Sequence, residues 1–422
     1  MPTLAIKNST AMIAEKILQT GLNFLVIAVL ARALGPEDLG RFGLVQAVLA
    51  VGLPVALFVS EPILIKLFVA ENCKLERLQS IALRVKLLSS VFVYLVSIAF
   101  ANWYLSDGLF SLVVFYCAIH FINFDVIFFF YYRATEQSSK VLIAKLSILI
   151  PIAALKILAA IFTGSLAVIV LVYFAEALAI SVAAWWMLRR ELSVEQVGAK
   201  SIQLSELTSI SWPIFTSAFL IVLYSRIDQF MIDYYLTGIE LGHYTLAVKL
   251  NQASTVVVSA YILSQFPRLL KLRSINTKKY NEEIVRALRI CLIVSLIFIC
   301  ITAFFGHQII VMVFGVEFQP TKNVLIVQLS GSIFIYYGIV CTQWLLAENL
   351  QLYRLYRVMF GLVLNVVLNL FLIPTHGILG AALATLVSQA FSSVIFNITN
   401  KKTHPIFELQ MSSVFLRLRN IS

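Results

Sequence analysis

The chain has 422 residues, of which 60% are hydrophobic and 13% charged, and its mean hydropathy is +0.93. Soluble domains run at about 45–50% apolar and about 25% charged, so this composition excludes a soluble enzyme, a secreted disulfide scaffold and a disordered chain. The 32 Lys+Arg outnumber the 21 Asp+Glu, giving a net charge of +11. In a membrane protein the meaning of that excess depends on which side of the bilayer it occupies.

About 20 mostly apolar residues cross the hydrocarbon. Windows of that length predict twelve spans, at 9–31, 39–64, 82–104, 108–131, 141–163, 166–188, 207–235, 240–265, 286–306, 324–346, 353–373 and 378–399. Polar residues interrupt the seventh and eighth. The connecting loops are too short for a catalytic domain, the longest outer one lying near 307–323. With the N-terminus inside, 25 of the 32 basic residues fall in inner segments, and Arg32, Arg41 and Lys322 fall in outer loops. Lys16, Lys156, Arg226 and Lys249 fall within spans. This bias predicts cytoplasmic N- and C-termini. Trp103, Trp185, Trp186, Trp212 and Trp344 near span ends agree with headgroup-level anchoring. The first span carries Glu15 and Lys16 and lacks a small-residue cleavage site, which reads as an uncleaved helix. The five cysteines show no pairing or metal spacing, and no cofactor is expected.

LGPEDLGRFGLVQA (34–47) and LTGIELGHYTLAVK (236–249) align at an offset of 202, matching Leu34, Leu39, Gly40 and Leu44 with Leu236, Leu241, Gly242 and Leu246. Both follow the first span of a six-span set. Six is even, so the halves enter the membrane in the same direction, as parallel repeats related by an axis along the membrane normal. The expected fold is an all-α polytopic membrane protein of two six-helix lobes. It divides into an N-lobe with a central linker (1–200), a C-lobe (201–399) and an amphipathic cytoplasmic tail (400–422). Two such lobes around a midplane space form a transporter with alternating access. Pro54, Pro62 and Pro151 can each kink a span or only shape its packing.

Charge at the bilayer centre costs about 2.5–3.5 kcal/mol per residue, so each intramembrane charge needs a reason. Lys16, Gln19, Thr20 and Asn23 recur on one face of the first span and line either a cavity or a buried polar network. Lys16 can also snorkel to the inner interface. In the seventh span Arg226, Gln229 and Asp233 share a face opposite Asp228, and Arg226 either pairs with an acid or binds an anion. Lys249, Asn251 and Gln252 give the eighth span a polar face. Glu61, Asp125, Glu176 and Asp228 are candidates for ion coupling or charge pairing, and Glu176 is either a proton carrier or the partner of Lys156. His120 with Asn123 reads as interhelical hydrogen bonding, and Asn365 with Asn369, like the small-residue face of Gly380 and Ala384, as helix-packing devices. In the tail, Phe407, Met411, Val414, Phe415 and Leu418 share a face suited to the inner leaflet. Nucleotide, serine-hydrolase and zinc motifs are absent from the sequence.

ARALGPEDLGRFGL (31–44), RIDQFMIDYYLTGIELGHYTLAVKL (226–250) and NVVLNLFLIPTHGILGAALATLVSQ (365–389) resemble polysaccharide-transport flippases of the multidrug/oligosaccharidyl-lipid/polysaccharide superfamily, especially Wzx-type O-antigen flippases. The resemblance implies a multi-pass protein of the bacterial inner membrane that is not an enzyme. It would move a polyprenyl-pyrophosphate-linked oligosaccharide from the cytoplasmic to the periplasmic leaflet. Its implied partners are that substrate and membrane lipids, with proton or sodium coupling and polysaccharide polymerase or assembly proteins left open, and no nucleic acid. On this reading Lys16, Gln19, Asn23, Arg226, Lys249 and Gln252 meet the substrate. A cation-coupled multidrug exporter of the same superfamily, a membrane glycan polymerase or ligase, and a structural scaffold remain as alternatives.

Overall fold

The computed structural model describes residues 2–69, 74–105, 107–189 and 203–415. Cys73, the linker 190–202 and the tail residues Arg417, Leu418 and Arg419 lie outside them. Every regular element among the described residues is helical. In chain order these are α1 (Pro2–Ala56), α2 (Glu61–Val69), α3 (Leu75–Tyr104), α4 (Asp107–Cys117), α5 (Ile119–Ile122), α6 (Asp125–Ala134), α7 (Ser138–Thr163) and α8 (Leu166–Arg189). There follow α9 (Leu204–Tyr224), α10 (Ile227–Tyr235), α11 (Gly238–Ile275), α12 (Thr277–Phe314), α13 (Thr321–Ala347), α14 (Gln351–Ser393) and α15 (His404–Val414), with single 3-10 turns at Val316–Phe318 and Ile395–Ile398.

Among the described residues, ten helical stretches are long and apolar enough to cross a membrane. The two longest, Ala11–Val69 and Leu352–Ile398, have 59 and 47 residues. Each contains a glycine in the left-handed region, Gly35 at φ 73° and Gly377 at φ 58°, where the chain leaves helical geometry. Both stretches fold back on themselves there. Glu15 and Glu61 would stand roughly 69 Å apart on a straight helix, yet both bond the guanidinium of Arg133. Likewise, a β-carbon on Gly380 would lie 2.0 Å from the Leu372 carbonyl oxygen, although eight helical residues normally span about 12 Å.

Three expected spans are interrupted. The second breaks at residues 57–60, just after Pro54, and Pro62 then occupies the first turn of α2, where the missing N–H is not needed. The fourth is divided into α4, α5 and α6, and the seventh into α9 and α10 around Arg226. By contrast α7 runs unbroken through Pro151.

The chain forms two compact units. The first comprises residues up to Leu34 and Arg41–Arg226. Its core joins Ile63, Leu64 and Leu67 of α2 to Ile81, Ala82 and Val85 of α3 and to Phe129, Phe130 and Tyr132 of α6. The second comprises Gly35–Gly40 and the residues from Ile227 onward. Its core brings Tyr336, Val340 and Trp344 of α13 against Ile284, Leu288 and Cys291 of α12, with Ile406 and Leu409 of α15. Trp344, expected at headgroup level, is therefore a core residue, whereas Trp103, Trp185, Trp186 and Trp212 are exposed. The tail helix α15 is tied to this core as well: Gln410 donates to the Ser393 carbonyl, and Ser413 bonds the Tyr337 hydroxyl. Of the expected leaflet-facing residues, Val414 and Phe415 are exposed.

Within the second unit the two copies of the repeated loop touch. A β-carbon on Gly40 would lie 2.3 Å from the Gly238 carbonyl oxygen, and one on Gly242 would lie 1.8 Å from that of Pro36. At the offset of 202, Pro36 corresponds to Gly238 and Gly40 to Gly242, so the contact is self-complementary. Thr237 and Glu240 form a capping box that fixes the start of α11 beside it. Gly242→Ala should force this contact open and cost on the order of 1–3 kcal/mol, read as a lowered thermal unfolding midpoint of the purified protein. Gly21→Ala, where no atom lies within 4 Å of the added carbon, is the control. Equal midpoints for the two variants would refute the close contact.

Candidate functional site

In the first unit five charged side chains converge. Arg133, in the last turn of α6, donates to Glu61 in the first turn of α2 and to Glu15 of α1 at 3.2 Å. Lys145 of α7 lies 3.0 Å from Glu15 and 3.5 Å from Asp125. Asp125 opens α6, where a carboxylate complements the exposed N–H groups, and Arg133 complements the carbonyls at its other end. Three carboxylates thus surround two cations inside the fold. Isolated charges in this position would be prohibitively costly, and the mutual pairing is what permits them.

The break between α5 and α6 is satisfied in the same unit. Buried Lys86 and Ser90 both donate to the His120 carbonyl, at 2.7 and 2.8 Å, and the Phe124 N–H donates to Ser181 Oγ at 3.1 Å. His120 therefore contributes its backbone, while both ring nitrogens are buried without a hydrogen bond, which corrects the expectation for its side chain. On neighbouring α7 and α8, Lys156 pairs with Glu176 and lies 3.4 Å from the centre of the Tyr173 ring. Of the two readings of Glu176, the structure provides the partner of Lys156.

The second unit holds a largely uncharged chain of polar groups. Asp228 is buried and accepts a hydrogen bond from the Tyr244 hydroxyl, which Thr385 and Gln328 also reach. Asn365 donates to Thr385 and Ser388, and Asn369 donates to the Asn365 oxygen. The oxygens Gln229 Oε1, Gln328 Oε1 and Asn369 Oδ1 are buried with no donor. Among the described residues no cluster of three or more His, Cys, Asp or Glu forms a metal site.

The remaining sequence candidates are more accessible. Lys16, Asn23 and Gln252 are exposed, while Gln19, Arg226 and Lys249 are half-buried. Arg226 occupies the break between α9 and α10. Sequence reasoning missed Arg133 and Lys145, which count as cytoplasmic topology charges until the folded chain brings Glu15 and Glu61 to them. It also missed Tyr244, since nothing in its local spacing announces a partner sixteen residues earlier.

A polysaccharide biosynthesis protein model matches residues 5–273, well over half of the chain. The chain belongs to the polysaccharide biosynthesis protein family. A second model, lipid II flippase MurJ, matches residues 252–421 of this family member. The probable low-salt glycan biosynthesis flippase Agl15 of Haloferax volcanii is 29% identical over 177 residues, which cover 41% of this chain and 37% of Agl15. The chain thus spans well under half the length of that relative. The capsular polysaccharide biosynthesis protein CapF of Staphylococcus aureus is 24% identical over 399 residues, covering 91% of this chain and 96% of CapF. Two solved folds are similar: lipid II flippase MurJ in an inward closed conformation (TM-score 0.68, 14% identity, 97% and 91% coverage) and an inward-facing multidrug resistance MATE family transporter of the MOP superfamily (0.67, 13%, 94% and 96%). This polysaccharide biosynthesis family member shares the fold of these polytopic membrane transporters.

Arg133→Leu should leave buried Glu15 and half-buried Glu61 beside too little positive charge and cost about 3 kcal/mol, seen as poor recovery of folded protein and a lowered midpoint. Adding Glu61→Gln to Arg133→Leu should recover part of that loss. A double-mutant cycle with no coupling would show that the network does not act as a unit.

Proposed function

We propose that this protein flips a polyprenyl-pyrophosphate-linked oligosaccharide, a repeat unit of O-antigen or another surface polysaccharide, from the cytoplasmic to the outer leaflet of the cytoplasmic membrane of a bacterium. The proposed architecture has twelve crossings, each of the two folded-back stretches providing two, arranged as two parallel six-helix repeats with both termini cytoplasmic. Transport is by alternating access. The polyprenyl tail stays in lipid while the sugar and diphosphate cross.

The observation that carries this reading is the family match over residues 5–273, together with the likeness to capsular polysaccharide biosynthesis protein CapF across 91% of this chain. Glu15, Glu61, Asp125, Glu176 and Asp228 all hold partners from the protein's own chain. Lys16 is exposed, and Arg226 and Lys249 are half-buried. Cations within reach of the cargo suit a diphosphate. We assign Lys16, Arg226 and Lys249 to the diphosphate, and Gln19, Asn23 and Gln252 to sugar hydroxyls. Asp228, buried and accepting from the Tyr244 hydroxyl, is the candidate for a coupling proton or sodium ion, because carboxylate oxygens suit a small hard cation.

Deletion of the gene should cause lipid-linked oligosaccharide to accumulate on the inner leaflet and surface glycan to disappear. Lys249→Ala or Arg226→Ala, at normal membrane abundance, should lower export by about tenfold or more, the scale of one lost charge-assisted contact. Unchanged glycan together with lost drug resistance would replace this reading with the multidrug exporter.

A further inference from the structure

An apolar groove of about 340 Å³ opens on the outside of the first unit and belongs to none of the groups assigned so far. One wall is the face of α8 carrying Leu178, Val182 and Trp185, and the opposite wall is Leu83 and Leu87 of α3. Phe124 lies at the break between α5 and α6, where its N–H is held by Ser181 Oγ, so the interruption leaves no unsatisfied donor in the groove. Leu87, Leu178, Val182 and Trp185 are each between 44% and 53% exposed, so the groove faces the hydrocarbon rather than the core.

The inner end of the groove is cationic. Leu178, Val182, Trp185 and Arg189 follow one another at helical spacing along a single stripe, and the Arg189 guanidinium lies 5.3 Å from the centre of the Trp185 ring. Arg84, exposed, flanks Leu83 and Leu87 on α3. Both arginines fall in the cytoplasmic set by charge sorting, and Trp185 marks headgroup level. From Arg189 the stripe descends roughly 16 Å to Leu178, about half the hydrocarbon thickness. An apolar groove with Arg189 stacked on one of its walls and exposed Arg84 between Leu83 and Leu87 of the other matches a lipid with a strongly anionic head. Lipid tails are as apolar as the groove, so burial in it carries little driving force. Selection rests on the head, and a diphosphate suits two forked guanidinium groups better than a singly charged phosphodiester.

We propose that this groove is the entry station of the lipid-linked substrate: it holds the first isoprene units of the polyprenyl diphosphate in the inner leaflet, with the diphosphate between Arg84 and Arg189, before translocation. The proposal rests on the flippase reading above.

The test uses the full-length protein in nanodiscs and a long-chain polyprenyl diphosphate carrying a photoreactive diazirine on its first isoprene unit. Label should appear on the peptides containing Leu178–Arg189 and Leu83–Leu87. Unlabelled polyprenyl diphosphate should displace it at roughly tenfold lower concentration than phosphatidylglycerol. Val182→Trp, which fills the groove, should cut labelling about tenfold. Arg189→Gln, which removes the charge beside Trp185, should abolish the preference over phosphatidylglycerol. Label confined to other peptides, or equal displacement by phosphatidylglycerol, overturns the groove assignment and leaves the flippase reading standing if gene deletion still accumulates lipid-linked glycan. No label on any peptide, together with normal surface glycan after deletion, overturns both.

Discussion

Hydrocarbon offers no hydrogen bonds, so each polar group that the chain carries into it must be answered by the chain itself. That constraint explains the placement of most of the charged residues inside the fold. Arg133 is answered by Glu15 and Glu61, Lys145 by Glu15 and Asp125, and Lys156 by Glu176. Backbone groups obey it too. Where the fourth span is interrupted, the His120 carbonyl is taken by Lys86 and Ser90, and the Phe124 N–H by Ser181. An interrupted helix in a membrane therefore brings buried polar side chains with it, and the two features are a single structural device.

Close approach of backbones supplies what hydrophobic burial cannot in such a medium, because the surrounding lipid is as apolar as the core. Glycine is needed where two main chains meet with no room for a β-carbon. Gly242 against Pro36 and Gly380 against Leu372 are such places, and Gly35 and Gly377 supply the positive φ at the two fold-backs. The repeated motif at an offset of 202 is thus more than a trace of sequence likeness: its glycines are the atoms through which the two copies of the loop touch.

The course of the chain was largely legible because apolar windows and charge bias are local, additive signals. Every long apolar stretch in the sequence became helix, and the polar interruptions in the seventh span marked the break at Arg226. Pairing was less legible, since it depends on which helices end up adjacent. Lys156 and Glu176 could be matched because they lie on consecutive spans. Arg133 could not, because its acids come from positions 118 and 72 residues earlier. Spacing alone likewise showed the stripe of Lys16, Gln19 and Asn23 but not its neighbour Glu15, which points the other way and is buried.

That difference between neighbours bears on how one fold serves chemically opposite cargoes. Solved folds of the same shape include a multidrug resistance transporter and a lipid II flippase, so the scaffold does not choose the substrate. The choice must lie in which charges remain accessible after the internal pairs are formed. Here Glu15, Glu61, Asp125 and Glu176 are paired with Arg133, Lys145 and Lys156, Asp228 accepts from the Tyr244 hydroxyl, and Arg189 stacks on Trp185 at the edge of an apolar groove. A sequence count of intramembrane acids against bases is nearly balanced and decides little. What the structure adds to that count is that Glu15, Glu61, Asp125 and Glu176 lie beside cations of their own unit, so the local field is set by which helices meet rather than by the number of charges.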